Sequence, residues 1–122
     1  MGGIRLSEPS VDLAVCAALA SAAADVPIDK YTAVFGEVGL TGEVRSVSFA
    51  EKRVNECIKT GFKKIILPAK CMNACRKYAD KITLVPVSYT NQMIKELGLR
   101  AKQSETVTFG SSASAAPAFQ KQ

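Results

Sequence analysis

The sequence predicts one α/β domain over residues 1–102. Three observations predict it. Beyond residue 49, stretches with apolar residues at helical spacing alternate with short apolar runs, in the order helix, strand, helix, strand, helix. The run Lys63-Lys64-Ile65-Ile66-Leu67-Pro68 is apolar without alternation, the pattern of a strand that helices cover on both faces. The composition, 48% hydrophobic and 22% charged over 122 residues, is that of a chain able to build a core.

Each element has its local reason. From Pro9 to Ala24 an Ala- and Leu-rich stretch reads as a helix, with Ser7 as its cap and Pro9 in the first turn, where a missing N–H costs nothing. Leu13, Cys16, Ala17 and Ala20 recur at spacings of three and four among small residues, so this helix is expected to be central and closely packed. Asp25-Val26-Pro27 ends it. Tyr31 to Val38 follows as a strand, Gly39-Leu40-Thr41-Gly42 as a turn, and Glu43 to Val47 as the returning strand. A helix from Phe49 to Thr60, with Val54, Cys57 and Ile58 inward, stops at Gly61. A helix over Met72 to Tyr78, a strand from Ile82 to Val87 and a helix over Asn91 to Leu97 complete the domain. Residues 103–122, rich in Ser, Ala, Thr and Gln with only Glu105 and Lys121 charged, are expected to be a disordered tail.

Several function classes are excluded or disfavoured. No GxxxxGK[ST] loop is present, so ATP is not expected to be held here by that route. With no histidine there is no HExxH, and Cys16, Cys57, Cys71 and Cys75 do not pair in zinc-finger fashion, so no metal site and no cofactor are expected in this chain. Free thiols and the lack of a signal-type N-terminus predict a cytoplasmic protein, and no run approaches the ~20 apolar residues of a membrane span. Charge is unevenly distributed. Between Lys52 and Lys81 nine basic residues face two acidic ones, a local +7 against an overall +5. Such a surface attracts phosphate backbones or an acidic partner, and is equally what a solvated face looks like.

Three ordered blocks carry a resemblance: GGIRLSEPSVDLAVCAALAS from Gly2, FGEVGLTGEVRSV from Phe35, and EKRVNECIKTGFKKIILP from Glu51. They resemble the C-terminal domain of the bacterial DNA recombination and repair family RadA, also called Sms, over roughly residues 2–98. The resemblance implies the fold of the Lon protease proteolytic domain, here a partial domain without its first strands. It also implies comparison with active Lon proteases, which use a serine nucleophile and a lysine base. Their Asp-Gly-Pro-Ser-Ala-Gly motif corresponds to Ser7-Glu8-Pro9-Ser10-Val11-Asp12, so Ser10 falls on the nucleophile position. Their Lys-Glu-Lys pattern corresponds to Glu51-Lys52-Arg53, so Arg53 falls on the base position. Arginine keeps its proton and cannot act as a base. Both positions are therefore vestigial, and no catalytic residue is expected. Arg53 either pairs with a local carboxylate such as Asp12 or joins the basic surface.

The family implies a wider function: a hexameric branch-migration protein driven by ATP and Mg, with a structural Zn module, all three groups belonging to modules outside this chain. This domain would be a non-proteolytic scaffold that contacts DNA without sequence preference, alongside a recombinase partner. Lys59, Lys63 and Lys64 at the helix-to-strand junction are the first DNA-binding candidates, and Lys70, Arg76 and Lys77 extend them. A subunit contact is expected at the glycine turn near Leu40 and Arg45, with Glu37 and Glu43 as ion-pair partners within or between subunits. The alternatives are a Lon-like serine peptidase and a monomeric protein-interaction adaptor.

Overall fold

A computed structural model of the protein describes residues 8–99. The expected Ser7 cap, the outer limits of the domain and the tail over residues 103–122 lie outside the described residues. A 3-10 turn, Pro9–Val11, leads into α1 (Asp12–Ala24). Strands β1 (Thr32–Val34), β2 (Glu37–Val38) and β3 (Val44–Arg45) precede α2 (Ala50–Thr60). Then come β4 (Lys64–Pro68), α3 (Met72–Cys75) between the 3-10 turns Ala69–Cys71 and Arg76–Tyr78, β5 (Thr83–Val87) and α4 (Thr90–Glu96). The α/β reading holds. β1, β4 and β5 form a parallel sheet with β4 in the middle, while β2 and β3 form a separate antiparallel hairpin.

The apolar run in β4 explains the layering. Successive strand residues point to opposite faces. Ile65 and Leu67 enter one core with Val54 of α2 and with Cys71 and Cys75, whereas Ile66 enters another with Leu13 and Ala17 of α1 and Met93 of α4. All three β4 residues are fully buried. Helices on both faces of a parallel sheet follow from this pattern.

Two expectations are corrected. Tyr31 to Val38 is not one strand: the chain leaves the sheet at Gly36, whose φ of +155° is outside the usual range of residues with a side chain. Phe35 still donates to the Ile66 carbonyl at 3.1 Å, and the next amide, Gly36, turns to the Ser10 carbonyl at 2.9 Å. Secondly, α1 is not central. Leu13, Ala17 and Ala24 face the sheet, but Val15 and Leu19 are 49% and 66% exposed. A helix apolar on every side carries little periodicity, so its sequence could not indicate which side the sheet would cover. The ends were better marked: Asp25 adopts a left-handed conformation after α1, and Gly61, with φ of +106°, donates to the Cys57 and Ile58 carbonyls after α2.

Candidate functional site

The front of α1 and the front of α2 meet at one carboxylate. Ser10 lies in the turn Pro9–Val11 and is only 4% exposed, its backbone carbonyl taken by Gly36. Its hydroxyl donates to Glu8 Oε2 at 2.7 Å. Arg53, in the first turn of α2, reaches the same Oε2 with Nη2 at 3.1 Å and the Ser48 carbonyl with Nε at 3.2 Å. Ser10 and Arg53 are thus joined through Glu8. This bridge was not foreseen, although Glu8 stands two residues before Ser10. Asp12 has another role: its carboxylate accepts the Val38 N–H at 3.1 Å and ties the hairpin to α1, so it is not the partner of Arg53.

The chemistry of this group is limited. A guanidinium holds its proton across the accessible pH range, and here it neutralises the carboxylate to which the serine hydroxyl is bonded. Lys52, one residue away on α2, points about 100° from Arg53. Phe49, just before α2, has φ of +61° and is 74% exposed, an uncommon conformation for a bulky side chain.

In the hairpin, Arg45 pairs within its own chain with Glu43 at 2.8 Å and Glu37 at 3.6 Å. The Thr41 hydroxyl first, and then the Arg45 guanidinium, hold the Glu43 carboxyl well below its ordinary range, at about 2. Leu40 at the tip is fully exposed.

The basic residues do not form the single group that their sequence order implied. Strand alternation separates Lys63 from Lys64: Lys63 is exposed at the start of β4, and Lys64 is held by Glu96 of α4 at 2.9 Å. Lys77 pairs with Glu51 at 2.8 Å, and Arg76 donates to the Asn73 side chain at 3.3 Å. Lys70 lines a cleft with Lys52 and Phe49. Lys59 lies at the far end of α2, seven residues from Lys52 and so on the same helical face, about 10 Å along the axis. Sequence reasoning missed two residues. Exposed Lys30, Lys63 and Lys81 each stand just before one of the parallel strands β1, β4 and β5. The register Thr32–Lys64–Thr83 carries Lys30 and Lys81 to the level of Phe62, with Lys63 one step further along, so these lysines border the amino-terminal edge of the sheet without forming one aligned row. Their common position before a strand was the available signal.

Fold and site together define a parallel α/β domain in which a serine and an arginine share a carboxylate and lysines border the starts of the strands. The chain belongs to the family described as Subunit ChlI of Mg-chelatase, which matches residues 2–71. Its curated relatives include the DNA repair protein RadA of Streptococcus pyogenes serotype M3, 39% identical over 94 residues, covering 77% of this chain and 20% of that protein. RadA of Bacillus subtilis is 47% identical over 76 residues, covering 62% of this chain and 17% of the relative. RadA of Halalkalibacterium halodurans is 48% identical over 69 residues, covering 57% and 15%. These matches fall in the C-terminal part of the relatives, as the three sequence blocks implied, and the chain spans about a fifth of the length of the first of them. Among the described residues no helix is long and apolar enough to cross a membrane.

Proposed function

We propose that residues 8–99 form a non-proteolytic, Lon-like domain that contacts DNA phosphates within a RadA-type DNA repair protein. The observation that carries this reading is the set of exposed lysines, Lys30, Lys63 and Lys81, that precede β1, β4 and β5, with Lys59 near the end of α2. Cations along one edge of a sheet attract phosphates and ask nothing of base identity, which suits sequence-independent binding. In the complete protein this domain would help to scaffold a homo-hexameric ring in the cytoplasm beside an ATP-driven branch-migration motor and a recombinase partner, with ATP, Mg and Zn held by other modules. A ring strengthens the weak contact of each copy by presenting several patches to one duplex.

Duplex titrations with the variant carrying Lys59→Glu and Lys63→Glu test the patch. Affinity should fall across unrelated sequences, and the slope of log affinity against log salt should flatten by about 2, at about 0.9 for each lost phosphate contact. The paired change Lys64→Gln with Glu96→Gln, which removes the ion pair at constant net charge, should bind as the parent does. Equal affinities for parent and double variant at low and moderate salt would remove these lysines from the interface.

A second expectation concerns Ser10. Incubation with unfolded protein substrates should give no cleavage that Ser10→Ala abolishes, because the dyad position holds Arg53 bonded to Glu8. Arg53→Lys is expected not to restore cleavage, since it leaves the Ser10 hydroxyl on Glu8 and Val11-Asp12 where the active family has Ala-Gly. Cleavage that depends on Ser10 would refute the non-proteolytic reading.

A further inference from the structure

The lysines at the amino-terminal edge of the sheet stand around a pocket of about 300 Å³. Lys30, Tyr31, Thr60, Gly61 and Phe62 line it, so its walls are the residues just before β1 and the turn that joins α2 to β4. Tyr31 is 46% exposed, whereas Phe62 is half-buried and packs against the core that holds Val54 and Ile65. One wall is a ring open to solvent, and the other is held from behind. Gly61 adds no side chain to the lining, and a Cβ there would meet nothing within 4 Å. The Thr60 hydroxyl donates back to the Glu56 carbonyl at 2.8 Å. The opening belongs to these two junctions and not to the flank of the sheet: the Tyr31 N–H donates to Asp29 Oδ2 at 3.2 Å and its carbonyl accepts from the Lys63 amide at 2.8 Å, so no backbone group of Tyr31 awaits a further strand.

Positive charge surrounds the rings. Lys30 holds its ammonium 5.3 Å from the centre of the Tyr31 ring, the register Thr32–Lys64 sets Tyr31 level with Lys63, and Lys59 stands in the last turn of α2, one residue before Thr60. None of Lys30, Lys59 and Lys63 forms an ion pair with a described residue. The carboxylate nearest in the chain, that of Asp29, is engaged by the Tyr31 amide and the Thr32 hydroxyl. An aromatic surface among unpaired cations is complementary to a nucleotide, whose base has a π-face and whose phosphate is an anion. A base inside a duplex has both faces covered by its neighbours, so only an unstacked one can enter. The pocket lies at the lower end of the size range of ligand pockets, which suits one base rather than a pair.

We propose that this pocket holds a single unstacked base of bound DNA, placed on Tyr31 against Phe62, while Lys30, Lys59 and Lys63 hold the adjoining phosphates. Resting on the phosphate contacts proposed above, this site adds to them a preference for strands with unpaired bases. Every base has a π-face, so the preference is for exposure and not for sequence.

The test titrates the 122-residue chain with an oligothymidylate and with an abasic strand of equal length and charge, at low salt, followed by fluorescence anisotropy. The base-bearing strand should bind about 5- to 100-fold more tightly, the range for one stacked base. Tyr31→Ala should remove that difference, and Tyr31→Phe, which keeps the ring, should retain it. The double change Lys59→Glu and Lys63→Glu should weaken both strands alike. Equal affinity of the parent for the two strands, with the lysine change still weakening both, would overturn the base pocket and leave the phosphate contacts standing. A preference that survives Tyr31→Ala would place the base elsewhere and overturn the assignment. If the lysine change weakens neither strand, or neither binds the parent up to millimolar chain, the phosphate contacts fall and this site falls with them.

Discussion

Ile66→Ala is expected to lower the thermal midpoint of the protein by roughly 10 °C or more. Ile66 is fully buried in the middle strand and packs in one cluster with Leu13, Ala17, Val87 and Met93. Removing three of its carbons forfeits transfer free energy and leaves a cavity that a strand bonded on both sides cannot close, a loss of about 2–5 kcal/mol. In a domain of this size each kcal/mol moves the midpoint by about 4–8 °C. Leu40→Ala provides the contrast: the side chain removed is larger in exposed area but touches solvent alone, so the change should stay within about 0.5 kcal/mol. Melting curves followed by circular dichroism separate the two. Equal shifts would mean that β4 is not the centre of the fold.

Gly36→Val should be comparably damaging for a different reason. A Cβ at this position would lie 3.1 Å from Val44 Cγ1 and 3.3 Å from both Leu13 Cδ2 and Pro68 Cγ, atoms from the hairpin, α1 and β4. The backbone there must also hold φ of +155°. Strain of about 1–3 kcal/mol from the conformation adds to about 1–3 kcal/mol from overpacking. Gly61→Ala isolates the first effect, since φ is +106° and a Cβ would meet nothing within 4 Å. Urea unfolding should therefore rank the variants with Gly36→Val well below Gly61→Ala. Reversal of that order would show that the close approach of three elements at Gly36 is not tight.

Local chemistry was legible wherever a short stretch of chain carries its own instructions. The helix over residues 50–60 has a glycine that can take the left-handed turn after it, and β4 has an apolar run bounded by lysines and a proline; both elements lie within a residue of their expected limits. Val54 was rightly placed inward because α2 is polar on its other side, which gives the apolar positions a phase. The same rule failed on α1, whose alanines are apolar in every direction, and Val15 and Leu19 remained outside.

The candidate site divides along the same line. That position 53 holds a cation unable to accept a proton follows from its chemistry as arginine, and no fold could change it. Its partner could not be read in that way. Glu8 is 45 residues distant from Arg53, and Asp12, equally close to Ser10 in the chain, was as plausible a partner, so the choice waited until the front of α2 was packed against the front of α1. The lysines behave alike: the density of positive charge between Lys52 and Lys81 is a property of the chain, but pairing Lys64 with Glu96 and bringing Lys30, Lys63 and Lys81 to one edge of the sheet required the order β1-β4-β5. Side-chain type and helical or strand period are set within a few residues, whereas strand order, ion-pair partners and free edges arise from contacts among segments far apart in the chain. Those contacts are selected by how the whole core closes.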